Sequence, residues 1–243
     1  MPTEEPNVLF LLPQYGGQVS TQCFESLLNW ALHAGDYGIQ WNWITDPGST
    51  LLPRARSQLV ALALELEGWT HIIMVDADMG FTISDVCHLV LSNKDIIAGV
   101  APLKTYPLQT NSSTGDGILK TENDCQQCKY VGTGFICIER NAIEKMCEAY
   151  KDSLTFESID GHSQERYKVV DLFATITNGG DEEDPALYLT EDYAFCKRAR
   201  DIGLEVWQDT VVNPSHTGMH TFSFDEEANM LMRYNKSNGH FVP

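Results

Sequence analysis

Asp76 and Asp78 flank a single alanine at the end of an apolar run. Continuous apolar β-formers from Ile72 to Val75 predict a strand buried on both faces, as in a parallel sheet. Two carboxylates placed directly after such a strand cannot be core. They point to a crevice at the carboxyl edge of the sheet, where open α/β folds bind ligands. Oxygen ligands two residues apart suit Mg²⁺ or Mn²⁺, ions commonly shared with substrate phosphates. The competing reading is an Asp-rich turn exposed to water.

Other residues could join this chemistry. Arg54 and Arg56 are scarce cations in an acidic chain, and a guanidinium suits bidentate contact with a diphosphate. Lys104, in Ala101 to Tyr106, is a weaker candidate of the same kind. Against all three stands the plain alternative of a solvated face. Glu191 and Asp192 follow Thr190 at the start of a helical pattern. Acids in a first turn are expected from the helix dipole alone, so their position admits a structural as well as a catalytic reading. His216 and His220 lie late in the chain, and imidazole suits Mn²⁺ better than Mg²⁺. Gly132 and Gly134 interrupt an apolar strand, which predicts close approach of another group to the backbone.

The elements that must carry these residues alternate over the first hundred positions. Asn7 to Leu12 predicts a strand, stopped by Pro13 and followed by a loop containing Tyr15, Gly16 and Gly17. Ser20 or Thr21 caps a helix with Phe24, Leu27, Leu28 and Ala31 on its apolar face, ended by Gly35 and Gly38. Ile39 to Thr45 predicts a strand, and Pro53 opens a helix to Leu66. The Asp-Ala-Asp strand follows, then a helix over 84–91 and a strand over 95–100. This alternation predicts a Rossmann-like parallel sheet. The second half is less regular. Residues 103–128 read as a long loop or hairpin, Tyr130 to Glu139 as a strand, and Asn141 as the cap of a helix to Tyr150. Residues 155–187 read as a polar, mobile surface loop ending in Asp181 to Asp184. Thr190 caps a helix from Glu191 to Asp201, closed by Gly203, and Leu204 to Gln208 is a short strand.

The 243 residues fit one α/β domain spanning 1–243, with 43% hydrophobic residues to build a core. A formal net charge of −18 argues against a nucleic-acid partner, which needs clustered Lys and Arg. It also raises the cost of binding an anionic substrate, a cost that a divalent cation at the Asp pair offsets. No apolar run reaches the roughly 20 residues of a bilayer span, and the acidic N-terminus is no secretory signal. The seven cysteines are odd in number and mostly set in apolar patterns, as in a reduced compartment. Cys125 and Cys128 form a close pair without two further zinc ligands at matching spacing.

Four patterns occur in order: a strand with its glycine loop, the strand ending in Asp76-Ala77-Asp78, the Gly132-Thr133-Gly134 strand, and Thr190-Glu191-Asp192 at a helix start. In this order they resemble the GT-A fold glycosyltransferases, close to the family 2 type and to the small phage and large-virus members. The resemblance spans roughly residues 7–222 and leaves 105–128 and 155–187 unmatched. It implies a single GT-A domain, a mostly parallel central sheet flanked by helices, with a C-terminal helical tail. It further implies transfer from a nucleotide-sugar donor, a UDP- or GDP-sugar, to a glycan or other hydroxyl acceptor, with Mn²⁺ or Mg²⁺. Asp78 takes the metal-binding place, Asp76 the place of a contact to the nucleotide ribose or to metal-bound water, and His216 the place of a late metal ligand, with His220 as fallback. Pro13, Tyr15, Gly16, Arg54, Arg56, Lys104 and Gly134 fall at donor-binding places. Asp192 takes the place of the aspartate that is the general base in inverting members, with Glu191 as its neighbour; retention or inversion stays open. A cytoplasmic location, the host cytoplasm included, accompanies the resemblance. The rival readings are a nucleotidyltransferase, disfavoured because residues 13–20 hold no Lys or Arg, and an inactive binding protein of the same fold.

Overall fold

The computed structural model describes residues 5–46, 50–104, 109–110, 112, 120–159, 164–179 and 186–218. The first half runs β1 (Asn7–Pro13), α1 (Thr21–His33), β2 (Gln40–Asp46), α2 (Leu52–Leu64), β3 (His71–Val75), β4 (Met79–Gly80), α3 (Ile83–Leu91) and β5 (Ile96–Gly99). The second half adds β6 (Thr121–Glu122), β7 (Cys125–Gln127), β8 (Phe135–Glu139), α4 (Arg140–Leu154), β9 (Thr155–Ile159) and β10 (Arg166–Val170). It closes with α5 (Glu191–Asp201), β11 (Val206–Asp209) and β12 (Ser215–His216).

Eight strands form one sheet in the order β2-β1-β3-β8-β5-β11-β7-β6. β1 pairs in parallel with β2 and β3, and β5 in parallel with β11. β8 is inserted antiparallel between β3 and β5, and β7 runs against β11 and β6. The sheet is therefore mostly parallel, with β8 and β7 reversed. Alternate residues of each central strand feed two cores. Leu9, Leu11, Ile72 and Met74 pack with residues of α2, α4 and α5, while Val8, Phe10, Ile73 and Val75 pack with residues of α1 and α3. Helices on both faces are the reason these strands read as unbroken apolar runs.

Several local expectations change in the fold. In α1 the buried residues are Cys23, Leu27 and Trp30, whereas Phe24 and Leu28 are 55% and 47% exposed. Trp30 packs edge-on against Phe10, which turns the helix away from the predicted face. α4 starts at Arg140 rather than being capped by Asn141, because β8 runs straight into it and Arg140 N–H donates to the Thr70 carbonyl at 2.9 Å. Within the expected polar loop, β9 and β10 form an antiparallel hairpin. Gln58 Nε2 anchors it by donating to Ser158 Oγ at 2.6 Å and Tyr167 Oη at 3.2 Å, and Ser158 and Val169 are buried. β6 and β7 supply the hairpin anticipated within 103–128. The acidic run Asp181 to Asp184, His220 and the expected C-terminal helical tail lie outside the described residues.

Candidate active site

The turn after β3 is pinned from three directions and closed by one internal bond. Asp76 N–H donates to the Gly134 carbonyl at 2.8 Å and Met79 N–H to the Asp76 carbonyl at 2.9 Å. The Ala77 carbonyl accepts from Ser20 at 2.7 Å, and the Asp78 carbonyl accepts from Thr217 at 2.8 Å. Both acidic side chains are thus held at the carboxyl ends of β1 and β3. β12 pairs antiparallel with β4, His216 opposite Met79, which carries the late histidine to the Asp pair. His216 Nδ1 lies 2.9 Å from the Pro102 carbonyl, and Nε2 lies 3.4 Å from Asp78 Oδ1. Lys104 Nζ pairs with the other oxygen, Oδ2. Burial works to raise the Asp78 carboxyl, but hydrogen bonds and charge from His216 and Lys104 outweigh it and hold the group down at about 2. The same hydrogen bond raises the His216 imidazole above its usual value.

Arg56 is not on a solvated helix face. It is 1% exposed. Its Nη2 donates to Asp76 Oδ1 and Oδ2 at 2.9 and 3.0 Å, and its Nη1 to Asp192 Oδ1 at 2.7 Å and Glu191 Oε1 at 3.2 Å. One buried guanidinium therefore joins the strand-end aspartate to the acidic pair that opens α5. Both amino groups of this cation make charge-assisted bonds to three carboxylates, while its buried Nε has no hydrogen-bond partner. Burial, then the charge of Asp192, pushes the Glu191 carboxyl up despite Arg56. Thr133, fully buried, donates its hydroxyl to Asp192 Oδ1. Sequence reasoning missed it, although it sits between the two glycines already singled out. Gly134 backs Asp76 so closely that a Cβ there would lie 2.9 Å from Oδ2, which is the close approach the glycine predicted.

An open cleft of about 600 Å³ lies over this turn. Pro13, Tyr15, Gln18, Ser20, Leu52, Asp76, Asp78, Lys104 and Thr217 are among its walls. Of the donor-side candidates, Pro13, Tyr15 and Lys104 therefore reach it. Gly16 lies off the wall and turns the loop with a φ of +63°. Arg54 is exposed on α2 and does not line the cleft, and Glu191 and Asp192 connect to it through Arg56 rather than lining it. Gln18, Ser20 and Thr217 are lining residues that no pattern in the sequence marked.

Among the described residues, no group of three or more His, Cys, Asp and Glu side chains is arranged to hold a metal by itself. Asp76 already spends both oxygens on Arg56. Asp78 Oδ1 and His216 Nε2 do converge, and these two donors fit a divalent ion whose remaining ligands are phosphate oxygens and water, provided the Lys104 ammonium leaves Asp78. Cys125 and Cys128 are both free and buried.

The fold resembles that of A197 from STIV. The two share 15% identity with a TM-score of 0.52, over 88% of this chain and 86% of that one. GalNAc-T7, solved with UDP, GalNAc and Mn²⁺, matches at 10% identity and a TM-score of 0.45, over 87% of this chain but 43% of that one. The catalytic domain of Drosophila β1,4-galactosyltransferase 7, solved with xylobiose, matches at 13% identity and a TM-score of 0.47, over 93% and 79%. The last two superpose too loosely to add to the fold argument. No protein-family model and no curated protein matches the sequence.

Proposed function

We propose that this protein is a metal-assisted glycosyltransferase that moves a sugar from a nucleoside-diphosphate sugar to an acceptor hydroxyl. The observation that carries this reading is the linked pair of carboxylate sites: Asp78 on the cleft wall and Asp192 beyond it, joined through Asp76 and Arg56. Inverting glycosyl transfer uses such a pair, one site for the leaving diphosphate and one for the attacking hydroxyl. Asp78 and His216 would hold the divalent ion, which when bound supplies Lewis-acid stabilisation of the leaving diphosphate. Pro13 and Tyr15 form the cleft wall available to the nucleoside. Lys104 supplies positive charge where phosphate oxygens would lie. Asp192 accepts the proton of the acceptor hydroxyl, on the side of the sugar opposite the leaving group.

A second reading, a nucleotide-sugar-binding protein without transfer, draws support from one observation. Asp192 Oδ1 is occupied by Arg56 and Thr133, and neither acid of α5 lines the cleft. One experiment separates the two. Calorimetry with UDP and GDP in the presence of Mn²⁺ tests donor binding. Release of free nucleoside diphosphate from the matching donor sugar, with acceptor glycans, tests transfer. Binding with turnover supports the transferase, binding without turnover the binding protein, and no binding of either nucleotide overturns both.

A further inference from the structure

Lys104 is the only residue among the described cleft walls that brings a full positive charge to Asp78. Its ammonium rests on Oδ2, while Oδ1 faces His216. Its aliphatic stem runs along the backbone of Gly218, where an added Cβ would lie 3.0 Å from the lysine Cδ. Gly218 follows Thr217, whose N–H holds the Asp78 carbonyl. Aspartate and lysine are thus registered on each other by the same short segment. The lysine remains 41% exposed, so its flexible head can leave the carboxylate for the cleft.

A carboxylate that holds a divalent ion carries net positive charge, so the pair repels an ammonium that otherwise rests on the same group. We propose that Lys104 is a tethered place-holder: it neutralises Asp78 in the free protein, is displaced when a divalent ion binds there, and then serves as a ligand of the donor's phosphate. This deepens the glycosyltransferase reading and rests on it. Metal entry and phosphate capture are thereby coupled, since the charge released from Asp78 becomes available to the incoming anion.

The test measures Mn²⁺ binding without nucleotide, by electron paramagnetic resonance of the free ion, and UDP and GDP binding at saturating Mn²⁺, by calorimetry. Three proteins are compared: wild type, Lys104→Met and Lys104→Arg. Removing the competing ammonium is expected to tighten Mn²⁺ about two- to fivefold, the scale of a part-exposed ion pair. The same Lys104→Met protein is expected to bind the nucleotide about tenfold more weakly, from the loss of a charge-assisted bond. Lys104→Arg keeps the charge and offers a forked partner to Asp78, so its Mn²⁺ affinity stays at or below wild type. Equal Mn²⁺ affinity in wild type and Lys104→Met overturns the place-holder while leaving the transferase reading intact. Absence of both Mn²⁺ and nucleotide binding in the wild type overturns the two together.

Discussion

Arg56 donates to both carboxylate oxygens of Asp76, at 2.9 and 3.0 Å, and does so from a position sealed off from solvent. The fork ties α2 to the end of β3. Its other amino group reaches α5, so the two acidic motifs of the chain are parts of one ionic network.

Arg56 is expected to act first on stability. Lysine cannot reproduce the fork, and methionine leaves three part-buried carboxylates facing one another. Breaking such a network costs on the order of 3 kcal/mol. Urea unfolding of Arg56→Lys and Arg56→Met should show this loss, with methionine the worse. A change below about 1 kcal/mol in both would mean that the network is not held by its cation.

Gly134→Ala probes the same aspartate from the other side. The new methyl lies 2.9 Å from Asp76 Oδ2, inside contact distance, so the carboxylate must move or the backbone must yield. Overpacking of this kind costs about 1–3 kcal/mol. Weaker nucleotide binding should accompany the lower unfolding midpoint. Unchanged values for both would show that the turn adapts freely.

Metal binding should depend on pH with a defined sign. The Asp78 hydrogen bond raises the His216 imidazole, and a protonated imidazole cannot ligate a metal. Mn²⁺ affinity is therefore expected to climb as pH rises through the range above 6.5 and then to level off. Asp78, held at about 2, stays ionised throughout and contributes no slope. Titrations in buffers of different ionisation enthalpy should register proton release at pH 6.5, and His216→Gln should abolish it. Asp78→Ala should remove Mn²⁺ binding at every pH. A flat profile in the wild type would take His216 out of the coordination sphere.

Asp192→Asn is expected to keep near-normal nucleotide affinity and lose about 10²–10⁴ in transfer rate, as removal of a general base does. The fold adds a cost that sequence alone did not foresee. Asp192 is also a partner of Arg56 and Thr133, so the variant should unfold at lower denaturant than wild type. Thr133→Val separates the two effects, because it weakens the support of Asp192 without removing the base. Glu191→Gln should be milder in rate. Full turnover in both α5 variants would move the base elsewhere.

What the amino-acid sequence determined by itself was local. Unbroken apolar runs identified β1, β3, β5 and β8, because strands covered on both faces need no polar alternation. The Asp76-Ala77-Asp78 step marked the carboxyl edge of the sheet, because two carboxylates cannot stay in its apolar interior, and Gly134 correctly announced a close neighbour. The hairpin of β9 and β10 was not legible. Its stabilising partner, Gln58, is about a hundred residues away, and its exposed face carries loop-like polarity.

Tertiary structure alone decided which charges meet. Arg54 and Arg56 differ by two positions on one helix, yet one faces solvent and the other is buried among carboxylates. Sequence cannot rank them, since that choice depends on where β3 and α5 end relative to α2. His216 likewise reaches Asp78 only because β12 pairs with β4. Periodicity reports the side of an element that turns inward. The partner found there is set by packing between segments far apart in the chain, and in this protein that packing assembles the candidate site.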